Sequence, residues 1–111
     1  MWMVNPAKMC DKHLLGEHVE LHMFLGSIMK GTSMRGFLDN NMLEPLHIWD
    51  RHEALVQEME NRQMNHKSPM SVVSVQSAIF AWLTETDRGV TIDSAAAEAE
   101  LYKRCAACRG R

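Results

Sequence analysis

Residues 10 to 28 read CDKHLLGEHVELHMFLGSI, and apolar side chains return in this stretch every three or four positions. At 100° per residue these positions form one stripe along a helix, and such a stripe is normally buried. The stripe consists of Cys10, Leu14, Leu21, Phe24, Leu25 and Ile28. We expect the helix to start at Asn5-Pro6, where Asn can cap and Pro fits the first turn, and to end near Lys30.

Glu17 lies in the middle of this apolar stripe, where a carboxylate is costly unless it is paired or hydrogen-bonded. One explanation is a structural bridge from Glu17 to an arginine, with Glu20 simply solvated. The other is a cluster of His13, Glu17 and Glu20 that can hold a proton or stabilise a cation. Spacing alone leaves both explanations open.

Length and composition predict one domain that spans residues 1–111, and the helical periodicity along the chain predicts that it is all-α. A chain of 111 residues, 46% of them hydrophobic, can bury one modest core. We expect a compact bundle of about four helices, with a loop-rich segment of little regular structure between residues 31 and 43, where Gly, Ser, Asp and Asn concentrate. We find no internal repeat.

Three further helices are predicted after this loop. The first opens at Pro45 and ends near Gln63, and the second, over 72–83, is chosen over a strand and is broken at Arg88-Gly89. The third is capped by Asp93 or Ser94. Its expected inner face is formed by Ala97, Leu101, Cys105 and Cys108. Trp49 and Trp82, on the stripes of the other two helices, are expected in the core.

Charge and cysteine content limit the partners and the compartment. A net charge of -2 gives no general attraction to nucleic acid, so any DNA contact must come from local basic clusters. No apolar run approaches the ~20 residues of a membrane-spanning helix, and three cysteines are too few for a secreted disulfide framework. We expect a cytoplasmic protein (host-cell cytoplasm if viral) with no membrane contact.

Two stretches resemble a known family. Residues 12–21, KHLLGEHVEL, followed by Phe24 and Gly26, resemble the first helix of the phage pyrimidine-dimer DNA glycosylases, also called endonuclease V, whose motif is His-Leu-x-x-Glu-x-x-Glu-Leu. The second stretch has the residue spacing of that family's middle helix. It consists of Arg51, Leu55, Glu58, Arg62 and Asn65. Together the matches cover roughly residues 10 to 66.

The resemblance implies a DNA repair enzyme that flips a nucleotide of UV-damaged duplex DNA, displaces the base and cuts the abasic strand. The implied nucleophile is the N-terminal α-amine, which titrates near 7.7–8.0 and is partly neutral at pH 7. Because bulky Trp2 disfavours removal of the initiator methionine, this amine is that of Met1. Glu20 is the implied acid/base residue, Glu17 a buried support and His13 a residue that positions the site.

The implied partner is double-stranded DNA that carries a lesion, bound by a monomer without a cofactor. The family has arginines beside the catalytic glutamate for phosphate contacts, and here these positions are Val19 and Met23. Other side chains would then supply the contacts. The expected substrate-binding residues are His13, Glu17, Trp2, Lys12, Arg51, Arg62, His66 and Lys67.

Two other functions fit the sequence. The first is a catalytically inactive module of the same fold that binds nucleic acid or protein. The second is a metal-stabilised helical protein, because Cys105-x-x-Cys108, with Cys10 elsewhere, offers zinc ligands. Small inward-facing cysteines are the favoured interpretation. His18 and His22 lack a third ligand nearby in sequence and are expected to be solvated or at an interface, so no metal site is predicted.

Overall fold

The computed structural model describes residues 1–66 and 68–111 and is helical, with no strand in those residues. The predicted all-α class is confirmed. Its helices are α1 (Asp11–Met29), α2 (Arg35–Asp39), α3 (Ile48–Asn61), α4 (Val72–Trp82), α5 (Glu85–Arg88), α6 (Ser94–Arg104) and α7 (Ala106–Arg109), with 3-10 turns at Pro6–Lys8 and Pro45–His47. No described helix is both long and apolar enough to cross a membrane.

The stripe of α1 forms the centre of the core. Leu14, Leu21, Phe24 and Ile28 are buried, while α3 and α4 pack against the same helix. The helix starts later than predicted, because Asn5 caps only the 3-10 turn and Met9 adopts an extended conformation (φ −97°, ψ 140°) that interrupts it. Cys10 therefore becomes the N-cap position of α1.

Gly31 ends α1 at a point where glycine is required. Its φ of 70° lies in the left-handed region, and a Cβ there would come within 3.0 Å of the Trp82 ring. The prediction that Trp82 is a core residue is wrong: the side chain covers this turn from outside and is 57% exposed. Trp49 is half-buried, and its Nε1–H donates to the Met70 carbonyl at 3.1 Å.

The segment 31–43 is more regular than predicted, because it contains α2. Arg35 donates to Asp39 one turn later at 2.8 Å and to both carboxylate oxygens of Asp87 at 3.0 Å. Leu38 is buried on the inner side of this short helix. The contact between Arg35 and Asp87 joins residues 52 positions apart, which a local pattern does not reveal.

The later helices follow the predicted order with two corrections. The predicted 72–83 helix is confirmed as α4, but Thr84 then caps the separate helix α5 before Gly89. Asp93 caps α6 through its carboxylate. The last helix does not continue through Cys105, because that residue is extended (φ −130°, ψ 107°) and starts α7.

Candidate active site

The N-terminal amine of Met1 lies 2.5 Å from Oε1 of Glu20, which is at the middle of α1. The amine also donates to the Met42 carbonyl at 3.2 Å. The Met1 side chain is fully buried, and its sulfur accepts the backbone N–H of Glu44 at 3.3 Å. The amine is thus held at a carboxylate that is about one third exposed to solvent.

The first four residues fold back over α1 through a specific set of contacts. The backbone N–H of Trp2 donates to Oε1 of Glu17 at 3.1 Å. Met3 has a φ of 54°, in the left-handed region that non-glycine residues seldom adopt, and it turns the chain. The carbonyl of buried Val4 accepts Nη1 of Arg51 at 2.6 Å. These contacts place the amine beside the second glutamate of the motif.

Glu17 is paired with Arg51 inside the protein. Nε of Arg51 donates to Oε2 at 2.5 Å and Nη2 donates to Oε1 at 3.0 Å, a two-point contact between side chains that are both buried. The structural bridge considered for Glu17 is therefore present. His13 is not its partner, because Nδ1 of His13 faces Cys10 at 3.2 Å. Glu20 is not merely solvated either, because it holds the amine.

Two clefts meet at Glu20. The larger, of about 410 Å³, lies within the range of roughly 300–1,000 Å³ typical of small-molecule pockets. One wall comprises Met1, Trp2 and residues 40–42, and the other comprises residues 92–104 of the last long helix and its approach. The smaller cleft, of about 190 Å³, lies on the far side of Trp2 and includes Lys12 and His13. Trp2 lines both clefts.

Some of the residues predicted to bind phosphate are exposed and others face the interior. Lys12 is exposed at the smaller cleft. Arg51 is buried with Glu17, and Arg62 donates to Asp11, to Glu58 and to the carbonyls of Pro6 and Met9. DNA contacts by the two arginines stay predictions that this inward placement does not favour. Lys67 lies outside the described residues.

A histidine cluster lies on the other side of α1, composed of His18, His22, His52 and His66. Nε2 of His66 lies 2.9 Å from Nε2 of His18, and Nε2 of His22 lies 3.2 Å from Nε2 of His52. His18 and His52 are buried. Of the two expectations for His18, solvated or at an interface, the first is wrong, because the residue is only 7% exposed. The sequence did show His52 on the apolar stripe of α3, but not that it faces α1.

Burial strongly lowers the pKa of His18 to about 4, with a further contribution from His52, His22 and His66. The pKa of His22 is also lowered, by burial and by His52. Both rings are therefore neutral at neutral pH. His66, predicted to bind phosphate, instead contacts His18, and its DNA contact stays a prediction.

Comparison with known proteins gives one match, to a family model. A family model described as pyrimidine dimer DNA glycosylase matches residues 1–72. No curated protein and no solved structure gives a match. The matched residues include Met1, Trp2, Glu17, Glu20 and Arg51, which are the residues that meet at the fold-back of the N-terminus. The chain, matched over more than half of its length, belongs to the pyrimidine dimer DNA glycosylase family.

Proposed function

We propose that this protein removes a pyrimidine of a cyclobutane dimer from duplex DNA and then cuts the abasic strand, through an imine formed by the α-amine of Met1. The observation that carries the proposal is the 2.5 Å contact between that amine and Glu20. An amine nucleophile and a carboxylate within hydrogen-bond distance form the pairing that amine-based covalent catalysis requires.

In the first step the neutral amine attacks C1′ of one nucleotide of the dimer. The C1′–N1 bond breaks, and its electron pair leaves with the pyrimidine, which takes up a proton from water and stays attached to its neighbour through the cyclobutane ring. Glu20 as carboxylate stabilises the positive charge that develops on the sugar and accepts the proton that the attacking nitrogen loses.

In the second step the nitrogen lone pair expels O4′, the sugar ring opens, and O4′ takes the proton held by Glu20. The product is a protonated imine between Met1 and C1′. The imine withdraws electrons, so a proton can leave C2′ while the C3′–O3′ bond breaks and the 3′ phosphate departs. Water then releases the N-terminal amine.

The larger cleft supplies space for a nucleotide rotated out of the duplex. It opens beside the amine, and the Trp2 ring on its rim offers a face on which a base can stack. Lys12, which lies on α1 and is exposed at the neighbouring cleft, can supply a phosphate contact.

The test uses untagged protein that starts at Met1, a duplex with one cyclobutane dimer, a duplex with one abasic site, and borohydride. Hydride addition at C1′ converts the imine to a stable amine. We expect a covalent adduct and nicking on both duplexes. Glu20→Gln should nick the dimer duplex at least about 100-fold more slowly. Glu60→Gln, at an exposed position of α3, is the matched control and should behave as the native protein does.

Other outcomes contradict defined parts of the proposal. An adduct on the abasic duplex alone would mean that the amine reacts but that the lesion is not a pyrimidine dimer. Duplex binding with no adduct on either DNA would favour the catalytically inactive binding module. The exposed apolar side chains Val19 and Met23, next to Glu20 on α1, are the feature that favours this second function, because neither can contact phosphate.

A further inference from the structure

Four side chains from opposite ends of the chain meet beside α1. We name them the thiol–imidazole cluster, which consists of Cys10, His13, Cys105 and Cys108. Their possible ligand atoms all lie within 4.8 Å of one another. Sγ of Cys10 is 3.2 Å from Nδ1 of His13 and 3.8 Å from Sγ of Cys105, and Sγ of Cys108 is 3.6 Å from Nδ1 of His13.

Three of the six separations are close to the edges of a zinc tetrahedron, and the other three are at most 4.8 Å. Zinc binds thiolate sulfur at about 2.3 Å and imidazole nitrogen at about 2.0–2.1 Å, so neighbouring ligand atoms in a tetrahedral site are roughly 3.5–3.8 Å apart. Two of the three measured distances lie in that range, and the third, 3.2 Å, is slightly shorter. The ligands can therefore close around zinc with small side-chain adjustments.

Backbone N–H groups are directed at two of the sulfur atoms. The backbone N–H of Cys108 points at Sγ of Cys105 at 3.4 Å, and the backbone N–H of Cys10 points at Sγ of Cys108 at 3.2 Å. Such donors stabilise the charge of thiolates and orient metal ligands from outside the metal's own ligand set. The extended conformation of Cys105, between α6 and α7, is what brings both sulfurs of the Cys-x-x-Cys pair to one point.

Neither of the simpler explanations accounts for all four side chains. Inward-facing thiols that only fill space do not require an imidazole nitrogen directed at two of them. A disulfide between Cys10 and Cys105 would use two sulfurs and leave Cys108, which is fully buried, and His13 without a role. Within the described residues all three cysteines are free thiols.

We propose that the thiol–imidazole cluster binds one structural Zn²⁺ ion. Soft thiolates with one imidazole select zinc over hard cations such as Mg²⁺ or Ca²⁺. All four ligand positions would come from the protein, which is the arrangement of structural rather than catalytic zinc. Binding displaces the proton of each protonated thiol, up to three in all, and His13 binds as the neutral ring with its proton on Nε2.

The ion would tie the C-terminal segment to the start of α1. Residues 105–108 lie outside the segment matched by the family model, and α6, which leads to them, forms the far wall of the larger cleft. On the other side the His13 ring meets the Trp2 ring edge to face at 6.0 Å. Zinc would therefore hold both sides of the cleft together. This proposal does not depend on the reaction proposed above.

The first test measures metal content in untagged, full-length protein purified under reducing conditions. We expect about one zinc per chain by elemental analysis. Replacement of zinc by Co²⁺ should give the visible absorption bands of a tetrahedral thiolate site, which report geometry independently of any activity. Less than stoichiometric zinc in folded protein that has been supplied with zinc, together with no cobalt bands, would overturn the proposal.

Variants locate the ion. Cys105→Ser changes one atom at a half-buried position. It should reduce zinc affinity by more than the roughly 10–100-fold loss that is typical when a residue hydrogen-bonded to a metal ligand is replaced. His13→Cys replaces one ligand by another and should retain zinc. His22→Ala, the matched control in the histidine cluster, should keep the full equivalent. Zinc retained by Cys105→Ser but lost by His22→Ala would overturn the assignment, as would a disulfide found by mass spectrometry in protein purified with reductant.

Discussion

Glu17 accepts two hydrogen bonds from the buried guanidinium of Arg51 and, at the same carboxylate, the backbone N–H of Trp2. One side chain of α1 thus joins α3 to the extended segment that carries the Met1 amine. Arg51 in turn donates to the carbonyl of Val4, so the segment is fixed at two points. The position of the proposed nucleophile depends on this buried ion pair.

Glu17→Gln should therefore destabilise the fold strongly. The substitution leaves the Arg51 guanidinium, 6% exposed, without its counter-charge, and breaking a buried pair costs about 3–5 kcal/mol. Urea unfolding should show this loss of unfolding free energy. Glu60→Gln at an exposed position should change it by no more than about 0.5 kcal/mol.

A double-mutant cycle checks the cause. Arg51→Met together with Glu17→Gln should cost clearly less than the sum of the two single changes, because no unpaired charge remains. A Glu17→Gln loss below about 1 kcal/mol, the range of exposed pairs, would contradict this account.

Addition of one glycine before Met1 should abolish imine trapping and should lower the free energy of unfolding by at most about 1 kcal/mol, the range of an exposed ion pair. One residue spans about 3.3–3.6 Å, whereas attack needs the reacting atoms within about 3–3.5 Å. The added residue would extend into the cleft and carry the amine away from Glu20. The thermal midpoint and the rate of trapping on abasic DNA are the two measurements. Normal trapping by the extended protein would exclude a fixed position of the amine.

Val19→Arg should strengthen binding to duplex DNA. Val19 is 66% exposed and immediately precedes Glu20 on α1. The resemblance implies an arginine at this position in the family. One additional phosphate contact should make the affinity for DNA depend more steeply on salt concentration. When salt is lowered from 200 to 50 mM, the affinity of the variant should rise about threefold more than that of the native protein. Fluorescence anisotropy at several salt concentrations measures both effects.

The matched control for this gain is Val73→Arg on α4. Val73 is as exposed as Val19 and lines neither cleft at Glu20. The Val73→Arg substitution changes the net charge of the protein by the same amount as Val19→Arg. Equal gains from both substitutions would mean that net charge, not a contact beside Glu20, governs binding.

The sequence was sufficient to predict the buried stripe of α1, but not where the helix starts, and it singled out the two carboxylates of its motif. The apolar stripe has the helical period, and Glu17 was conspicuous because it interrupts that stripe. What could not be predicted is how the first four residues return to Glu20. That path depends on the left-handed backbone of Met3 and on the contact between Arg51 and Val4, whose partners are 47 residues apart.

The same limit applies to His13. Helical spacing made Glu17 its natural partner at i+4, but the ring faces Cys10 and Cys108 instead. Cys108 is 95 positions away, and the break at Cys105 that turns it inward interrupts an otherwise continuous helical pattern. Local periodicity could not reveal contacts between the two ends of the chain.

Stability should fall as the pH decreases from about 6.5 toward 4. Burial, then His52, His22 and His66, lower the folded-state pKa of His18 to about 4, whereas an unfolded histidine has a pKa near 6.5. Below pH 6.5 the unfolded state therefore binds a proton that the folded state does not, and stability is lost. The lowered pKa of His22 acts in the same direction.

Urea unfolding between pH 7 and 4.5, with a chelator present so that metal loss does not contribute, measures this dependence. NMR titration of the His18 ring should give a midpoint well below 6.5. His18→Gln should flatten the pH dependence of stability. A native His18 that titrates near 6.5 would contradict the effect assigned to burial.

Metal removal should loosen the C-terminal helices first. A chelator should lower the thermal midpoint of zinc-loaded protein by at least about 4 °C, the shift expected per kcal/mol for a domain of this size. Hydrogen exchange should accelerate in α6 and α7 more than in α3. Cys105→Ser should not respond to the chelator, and an equal response in native and variant protein would contradict a role for the cysteines.

The most direct test of the proposed active site is to locate the borohydride-trapped adduct by peptide mass spectrometry. After reaction with abasic duplex and proteolysis, the sugar remnant should be found on the α-amine of Met1, and it should be much reduced in Glu20→Gln. An adduct located on Lys12, at the neighbouring cleft, with an unmodified Met1 amine would contradict the assignment of the N-terminal amine as nucleophile.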